Sequence, residues 1–263
     1  MNQPLAYIDP NAKIANNVVI EPFTTINKDV VIGEGTWIGS NVTIMDGARI
    51  GKNCKIFPGA VISAPPQDLK YKGEKTEAII GDNVTVRECV TVNRGTTDKY
   101  KTCVGDNTLL MAYVHIAHDC EIGKGCILAN AVNLAGHIKI DDYAIIGGMS
   151  AVHQFVNIGV HAFVSGGCLV RKDVPPYIKA AREPLSFVGV NSIGLRRRGF
   201  DSSTINMIQE LYRILFIRGY NITNAVSFIE ADLPATEERD EILRFIRDSK
   251  RGIMKGFLQR NEN

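Results

Sequence analysis

The residues best suited to chemistry in this chain are its five histidines, which all lie between residues 115 and 161. Asp119 directly follows His118, and Gly136 directly precedes His137. A histidine with a pKa near neutrality can accept a proton from a hydroxyl group, and a glycine leaves its backbone N–H open to a developing oxyanion. Brought together in space, such residues suit an alcohol that attacks a thioester.

The elements that must position these residues are indicated by an aliphatic residue at every sixth position. Of 28 positions taken in steps of six from Ile8 to Val170, 25 hold Ile, Val or Leu, and the exceptions are Asp68, Glu74 and Asp98. Neither a helix nor a half-buried strand produces this period. A coil of short strands does, with about 18 residues in a three-sided circuit. We therefore predict a mainly β protein, a parallel β-helix whose aliphatic side chains fill the interior.

An 18-residue circuit predicts which of the polar residues are neighbours. His118 is expected beneath Gly136, which lies beneath Gln154, and Asp119 is expected beneath His137. His161, the last histidine along the chain, is interpreted as structural or solvent-exposed. The predicted column forms a polar pocket.

A zinc site is the alternative use of these histidines, as in hexapeptide-repeat carbonic anhydrases. The spacing of His115 and His118 permits it but is not specific, and the nearby carboxylates suit a polar substrate equally well. We expect no metal, and metal analysis of the purified protein decides the question.

The residues two positions before the in-phase aliphatic residues are nearly all small, which favours the predicted coil because these residues share its narrow interior. Four of the six cysteines fall in this slot and are interpreted as core residues: Cys54, Cys120, Cys126 and Cys168. Two polar stretches without in-phase aliphatics, 63–79 and 94–103, are predicted to be loops. Because the aliphatic phase resumes after each, we expect each loop to replace whole sides of the prism.

Beyond the coil, which we expect to end at Asp173–Pro176, the pattern becomes helical. Ser202 or Ser203 is suited to cap a helix that runs to about Gly219, and further helical segments are expected at 223–231 and 234–255. We predict two domains, a β-helix at 1–185 and a small C-terminal α-helical domain at 186–263.

Composition excludes other classes of protein. A net charge of +2 with both signs mixed does not favour nucleic-acid binding. The chain has no apolar run long enough to span a membrane and no signal-peptide pattern at its start, so a cytoplasmic location is expected. By analogy with other stacked prisms, a homotrimer is expected.

Several motifs resemble those of the bacterial UDP-N-acetylglucosamine O-acyltransferases that begin lipid A synthesis. They are Gln67–Tyr71 (QDLKY), His115–Cys120 (HIAHDC), Leu134–His137 (LAGH), Val152–Phe155 (VHQF) and Arg197–Phe200 (RRGF). The resemblance runs over essentially the whole chain. It implies a left-handed coil and transfer of a 3-hydroxyacyl group from acyl carrier protein to the 3-hydroxyl of UDP-N-acetylglucosamine. It implies no cofactor beyond the 4′-phosphopantetheine of the carrier protein, and a cleft between adjacent subunits.

The resemblance also implies roles for individual residues. His118 is the general base, and the backbone N–H of Gly136 is the oxyanion donor. The acyl chain is expected to end at Gly166, where the absence of a side chain leaves room for a long chain. The residues implied to bind substrate are Gln67, Asp68, Lys70, His115, Asp119, His137, His153 and Gln154 around the cleft, and Asn191, Arg197 and Arg198 at the nucleotide.

Two positions depart from the family pattern. Asn93 stands where relatives carry histidine, and Ile193 replaces a glutamate near the nucleotide, which leaves the details of sugar and uridine recognition open. The nearest rival is the related N-acyltransferase of UDP-sugars, but the coil begins by Ile8 and leaves no room for that enzyme's N-terminal domain. Simple acetyl-CoA acetyltransferases and a purely structural coil are further alternatives.

Overall fold

The structure, a computed structural model, describes residues 5–256, so the outermost ends of the two predicted domains, residues 1–4 and 257–263, lie outside the described part. From Tyr7 to Val170 the chain winds as a parallel β-helix, in which successive strands contribute to three sheets in turn. A helical region follows. The predicted fold class, a mainly β coil with a C-terminal helical part, is confirmed.

The three sheets are the three sides of a prism. Sheet one consists of β1 (Tyr7–Ile8), β4 (Thr25–Ile26), β7 (Thr43–Ile44), β10 (Val61–Ala64), β13 (Thr91–Asn93), β16 (His115–Ile116), β19 (Asn133–Leu134), β22 (Ala151–Val152) and β25 (Leu169–Val170). Sheet two consists of β2 (Lys13–Ile14), β5 (Val31–Ile32), β8 (Ala48–Ile50), β11 (Glu77–Ile80), β14 (Lys101–Val104), β17 (Glu121–Ile122), β20 (Lys139–Ile140) and β23 (Asn157–Ile158). Sheet three consists of β3 (Val19–Ile20), β6 (Trp37–Ile38), β9 (Lys55–Ile56), β12 (Thr85–Val86), β15 (Leu109–Leu110), β18 (Ile127–Leu128), β21 (Ile145–Ile146), β24 (Phe163–Val164), β26 (Ile178–Ala181), β27 (Ser186–Val190) and β28 (Lys255–Gly256). Corner one joins sheet one to sheet two, corner two joins sheet two to sheet three, and corner three joins sheet three to sheet one.

The interior of the prism is filled by the aliphatic ladder. All in-phase aliphatic residues from Ile20 to Val170 are buried, whereas Ile8 and Ile14 at the open first end are half-buried. Each fully buried isoleucine or valine contributes about 1.5–3 kcal/mol relative to an exposed one. The four cysteines predicted to belong to the core are buried, and all six cysteines are free thiols.

Regular circuits have the predicted length, because Tyr7 pairs with Thr25 and His115 pairs with Asn133. Each of the two loops lengthens the circuit that contains it by whole hexapeptides. Val61 pairs with Thr91, which in turn pairs with His115, so the first looped circuit is two hexapeptides longer and the second is one longer. The prediction that each loop replaces whole sides of the prism is therefore wrong, since all three sheets keep their strands through this region. The period of six could not reveal the difference, because adding whole hexapeptides leaves its phase unchanged.

Both loops leave the coil at corner one. Loop one connects β10 to β11, and loop two connects β13 to β14 one circuit later. The loops therefore stack on each other at the same edge of the prism, directly before the circuit that contains His118. Inserted residues at one edge of a rigid solenoid commonly form a binding surface.

The coil continues beyond the prolines that were expected to end it. β26 pairs in parallel with β24, and β27 then reverses to pair antiparallel with β26. The helices are α1 (Ser192–Arg197), α2 (Ser202–Phe216), α3 (Ile222–Asp232) and α4 (Glu237–Asp248). The last predicted helix ends earlier than expected, because the chain then returns to the sheet as β28.

The helical region packs on the end of the coil through aromatic residues of α2. Tyr212 is fully buried and donates a hydrogen bond of 2.6 Å to the carbonyl of Pro176. The cap of α2 differs from the prediction, because the Asp201 side chain accepts from the N–H of Thr204, where Ser202 or Ser203 was expected. Within residues 5–256, no helix has the length and apolar character needed to cross a membrane.

Candidate active site

Corner one places the predicted column of polar residues in neighbouring circuits. The N–H of His137 donates to the carbonyl of His118 at 3.0 Å, and the N–H of Phe155 donates to the carbonyl of Gly136 at 3.3 Å. Asp119, His137 and Phe155 each have a φ of about +60° (59°, 60° and 66°), so each corner turns through the left-handed region. The structure thus brings together the residues that the repeat predicted as neighbours.

His118 and Asp119 form a hydrogen-bonded pair. The two side chains are nearly inaccessible, at 9% and 0% exposure, and Nδ1 of His118 lies 2.8 Å from Oδ2 of Asp119. A carboxylate can only accept, so Nδ1 carries the proton and donates it to Asp119. This bond leaves Nε2 as the nitrogen that can take a proton from a substrate.

Gly136 lies against the free side of that imidazole. A Cβ atom built on Gly136 would lie 2.6 Å from Cε1 and 2.7 Å from Nε2 of His118, closer than real Cβ contacts. Within residues 5–256 the N–H of Gly136 donates to no backbone carbonyl, although the neighbouring amides of Ala135 and His137 both do. Glycine at this position therefore leaves both room and an available donor beside Nε2.

Asp119 is a buried carboxylate that accepts several hydrogen bonds. Its Oδ1 accepts from the backbone N–H groups of Thr96 at 3.0 Å and Lys99 at 3.2 Å, and its Oδ2 accepts from the Thr96 hydroxyl at 2.6 Å. Burial by itself raises the pKa of Asp119, but the hydrogen bonds from Thr96, His118 and Lys99 outweigh it and hold this pKa below its usual value. Asp119 is therefore a carboxylate at neutral pH.

His137 lies above this pair and connects it to loop two. Its Nδ1 lies 3.0 Å from Oδ2 of Asp98, and its ring meets that of His118 edge-on at 4.9 Å between centroids. On its other face Phe155 stacks at 4.6 Å. The Asp98 carboxylate and the two rings together fix the orientation of His137.

A cavity of about 250 Å³ opens between His137, Phe155 and the two loops. Asp68 and Lys70 of loop one line it, while Gln67 is exposed and lies outside the lining. Loop one is secured by Arg94, which donates to the hydroxyl of Tyr71 and to the carbonyl of Asp46. One wall of the cavity is therefore a secured loop, and its lining includes the carboxylates of Asp68, Glu74 and Asp98 and the ammonium group of Lys70.

The other expected cleft residues lie close to this corner with different partners. His115 lies on sheet one, where its Nδ1 is 2.7 Å from the Thr91 hydroxyl, and burial lowers its pKa. His153 is exposed and its Nδ1 donates to the carbonyl of Gln154 at 3.1 Å. Gln154 is half-buried one circuit beyond Gly136. His115 and His118 direct their Nδ1 atoms to different neighbours, the Thr91 hydroxyl and the Asp119 carboxylate, and metal analysis of the purified protein remains the test of the zinc alternative.

The residues expected at the nucleotide lie at corner two, one face of the prism away from His118. Asn191 caps α1, since its Oδ1 accepts from the N–H of Gly194 and its Nδ2 donates to the carbonyl of His161. Arg197 is exposed in the last turn of this short helix. Asn191 thus fastens the segment that carries the arginines to the coil.

Arg198 is held over an aromatic column at the same corner. Its guanidinium carbon lies 4.0 Å from the ring centroid of Tyr143, which stacks on His161, which stacks in turn on Tyr177. Burial, with a smaller contribution from the charge of Arg198, lowers the pKa of His161 to about 4, so this imidazole is neutral at physiological pH. His161 is therefore an uncharged member of the column, consistent with its structural interpretation.

Gly166 lies at corner three, which is the opposite edge of sheet one from the corner that holds His118. It is exposed, and a Cβ at this position would lie 3.1 Å from the carbonyl oxygen of Gly148 in the preceding circuit.

The two residues that depart from the family pattern, Asn93 and Ile193, have different surroundings. Asn93 is buried with its Oδ1 unpartnered among the described residues, whereas Ile193 is 64% exposed on α1.

The sequence interpretation assigned no role in the site to four residues that are important to this geometry. Phe155 and Tyr143 could have been found, because each lies one regular circuit along its corner from a histidine, His137 and His161 respectively. Thr96 and Asp98 carried no signal, because they belong to a loop outside the repeat.

The repeat fold and the similarity to known proteins define the class, a hexapeptide-repeat acyltransferase. Residues 104–136 match the bacterial transferase hexapeptide family, residues 173–254 match domain 2 of the Udp N-acetylglucosamine O-acyltransferases, and residues 2–103 match the GMPPB C-terminal domain. Together with the relatives described next, these matches show that the chain belongs to the UDP-N-acetylglucosamine O-acyltransferase family.

The similarity covers nearly the whole chain. The acyl-[acyl-carrier-protein]–UDP-N-acetylglucosamine O-acyltransferase of Stenotrophomonas maltophilia is 42% identical over 96% of this chain and 97% of its own. That of Verminephrobacter eiseniae is 47% identical over 66% of each chain. The crystal structure of a UDP-N-acetylglucosamine acyltransferase from Bacteroides fragilis superposes with a TM-score of 0.95 at 51% identity, covering 97% of this chain and 100% of the other.

Proposed function

We propose that this protein transfers a 3-hydroxyacyl group from acyl carrier protein to the 3-hydroxyl of UDP-N-acetylglucosamine, the first step of lipid A synthesis. The names of its relatives specify the acyl carrier protein, the UDP-sugar and O-acyl transfer. The observation that carries the mechanism is the free Nε2 of His118 beside Gly136, with Nδ1 engaged by Asp119.

The reaction follows from these positions. Nε2 of His118 takes the proton as the sugar hydroxyl oxygen bonds to the thioester carbon. The resulting oxyanion accepts a hydrogen bond from the N–H of Gly136. The C–S bond then breaks, and the imidazolium returns the proton to the departing phosphopantetheine thiolate. Asp119 stabilises the transient imidazolium through Nδ1, because the carboxylate is negative and only 2.8 Å away.

Substrate binding is divided between two corners. Asp68 and Lys70 line the cavity beside His137, where they are suited to bind the sugar and seat the acyl donor. Arg197 and Arg198 are suited to nucleotide phosphates, since guanidinium groups bind phosphate oxygens in pairs. The two sets lie at corner one and corner two of a single chain. A homotrimer with each site between adjacent subunits brings both sets to one substrate.

The central experiment is an assay with UDP-N-acetylglucosamine and 3-hydroxyacyl carrier proteins of several chain lengths. Replacing His118 with Ala is expected to lower kcat by about 10²–10⁴-fold with little effect on KM. Thermal unfolding confirms that the variant is folded. Full activity in His118→Ala would contradict the assignment of the base. Mass spectrometry of the product distinguishes ester from amide, and so the O-acyltransferase from the related N-acyltransferase.

The shared site is tested by mixing two inactive proteins. His118→Ala and a variant with Arg197 and Arg198 both replaced by Ala are co-expressed with different affinity tags, and the mixed trimers are isolated. If each site combines residues of two subunits, the mixture regains part of the wild-type activity, because some sites contain both wild-type sets. A monomer by light scattering, or a mixture without activity, would exclude the shared site.

A further inference from the structure

Loop two, residues 94–100, returns to the coil and places a hydroxyl group on the carboxylate that holds the base. The Thr96 hydroxyl lies 2.6 Å from Oδ2 of Asp119, and the Thr96 N–H lies 3.0 Å from Oδ1. His118 donates to the same Oδ2 at 2.8 Å. Among the described residues, Thr96 and His118 are the two hydrogen-bond donors to this oxygen, so they share its negative charge.

The surroundings of Thr96 determine the direction of its hydroxyl proton. The hydroxyl oxygen also lies 3.3 Å from the N–H of Asp98, which can only donate to it. Asp119 can only accept, so the single hydroxyl proton of Thr96 points to Oδ2. The arrangement is a one-way chain of donors from loop two to the carboxylate.

The backbone of loop two holds this threonine firmly. The N–H of Tyr100 donates to the carbonyl of Thr96 at 2.8 Å and closes the loop on itself. Gly95 is packed so closely that a Cβ would lie 2.2 Å from the backbone nitrogen of Lys101. Thr96 itself is only 9% exposed. Its hydroxyl is therefore preorganised before any substrate binds.

We propose that Thr96 is a positioning residue that sets the proton affinity of the catalytic base by sharing Oδ2 of Asp119 with it. The inference rests on the proposed function, in which His118 is the general base. The Thr96 hydroxyl takes part of the charge that would otherwise stabilise the imidazolium. Without this hydroxyl, Asp119 binds the imidazolium more strongly and His118 remains protonated to a higher pH, where it cannot accept a proton from the sugar.

The other titratable groups near His118 are held by side-chain contacts that do not include the Thr96 hydroxyl. His137 faces the pair, with its Nε2 3.9 Å from Oδ2 of Asp119, and its Nδ1 is bonded to Asp98. The ammonium group of Lys99 is paired with Glu121 at 3.1 Å. A change in the pH profile of a Thr96 variant therefore reports on the hydroxyl.

The test measures kcat and KM as functions of pH for the full-length enzyme and its Thr96→Val and Thr96→Ser variants. Valine matches the shape of threonine without the hydroxyl, and serine keeps the hydroxyl. At a pH below the acidic midpoint, Thr96→Val is expected to lower kcat about three- to tenfold while KM changes less than about twofold, because a shift of about 0.5–1 pH unit lowers the unprotonated fraction of the base by that factor. The midpoint of the acidic limb of kcat/KM is expected to rise by about 0.5–1 pH unit, and Thr96→Ser is expected to restore both.

Thr102→Val is the matched control. The Thr102 hydroxyl accepts from the backbone N–H of Asp119 at 2.9 Å and is also buried, but it donates nothing to the carboxylate. Its loss is expected to lower the unfolding temperature and to leave the midpoint of the acidic limb unchanged. Should Thr96→Val fail to fold, Thr96→Ala removes the same donor without the added methyl group.

The proposal is overturned if removing the Thr96 hydroxyl lowers kcat without moving the acidic midpoint, or if Thr96→Ser is as impaired as Thr96→Val. Either result would make Thr96 a structural residue of the loop. The base itself is tested separately by His118→Ala. Retained activity in that variant would refute the proposed mechanism, whatever the behaviour of Thr96.

Discussion

Adding one methyl group at Gly136 should separate catalysis from folding. The new Cβ would lie 2.6 Å from Cε1 and 2.7 Å from Nε2 of His118, whereas ordinary van der Waals contacts begin near 3.4 Å. The imidazole must therefore move by about 0.8 Å if the backbone stays in place. The bond from Nδ1 of His118 to Asp119 is already at a normal length of 2.8 Å, so a shift or rotation of the ring by this amount disturbs its geometry and displaces Nε2.

The kinetic consequence is expected to be large. A misplacement of about 1 Å in a reacting group costs about 100-fold in rate, so kcat of Gly136→Ala should fall by about that factor. The residues proposed to bind the UDP-sugar are Asp68, Lys70, Arg197 and Arg198, so KM should change little. The assay follows release of the carrier-protein thiol at saturating UDP-N-acetylglucosamine, and thermal unfolding measures the stability of the variant.

Gly39→Ala is a matched control. Its Cβ would lie 3.0 Å from Pro58 and 3.0 Å from the ring of Trp37, so the coil is crowded by a comparable change far from corner one. This variant is expected to lose stability and to keep its kcat. A Gly136→Ala enzyme with wild-type kcat would refute the reasoning, because it would show that the imidazole need not occupy the observed position.

Three further predictions concern the remaining parts of the site. The pKa of Asp119 is lowered in the folded state, so the stability that its carboxylate contributes should be present above pH 4 and lost as the pH falls through the folded pKa. Asp119→Asn should therefore have a lower unfolding temperature than wild type at pH 7, and this difference should shrink below pH 4. Replacing Tyr143 with Leu removes the ring beneath Arg198 and should raise KM for the UDP-sugar about fivefold without changing kcat, since an exposed cation–π contact is worth about 1 kcal/mol. Gly166→Met should shift the preferred acyl group to a shorter chain in competition assays, and an unchanged preference would exclude corner three as the end of the acyl pocket.

Much of the site could be predicted because it follows the repeat. His118, Gly136 and Gln154 are each separated by one regular circuit, which makes them neighbours, and the structure confirms the circuit between β16, β19 and β22. The predicted burial of the small core cysteines is confirmed for the same reason. Each of these inferences needs only that one circuit resemble the next.

The loops could not be predicted in the same way. Thr96 and Asp98 contact Asp119 and His137 because loop two closes back on corner one, and no in-phase residue marks that path. The helical region shows a similar limit, since Asp201 competes successfully with Ser202 for the cap of α2. Neighbouring capping residues have similar affinities for the helix end, so the choice depends on the path of the incoming chain.

The sequence by itself determined the coil, its period and the column of residues at corner one, because burial of an aliphatic ladder repeats the same local interaction in every circuit. The tertiary structure alone decided that both loops emerge at that corner and that Thr96 shares the carboxylate of Asp119 with His118. It also decided that the arginines expected at the nucleotide lie at a different corner from the base. Contacts between a loop and the coil depend on how the chain closes over a distance, and a repeating pattern carries no information about that closure.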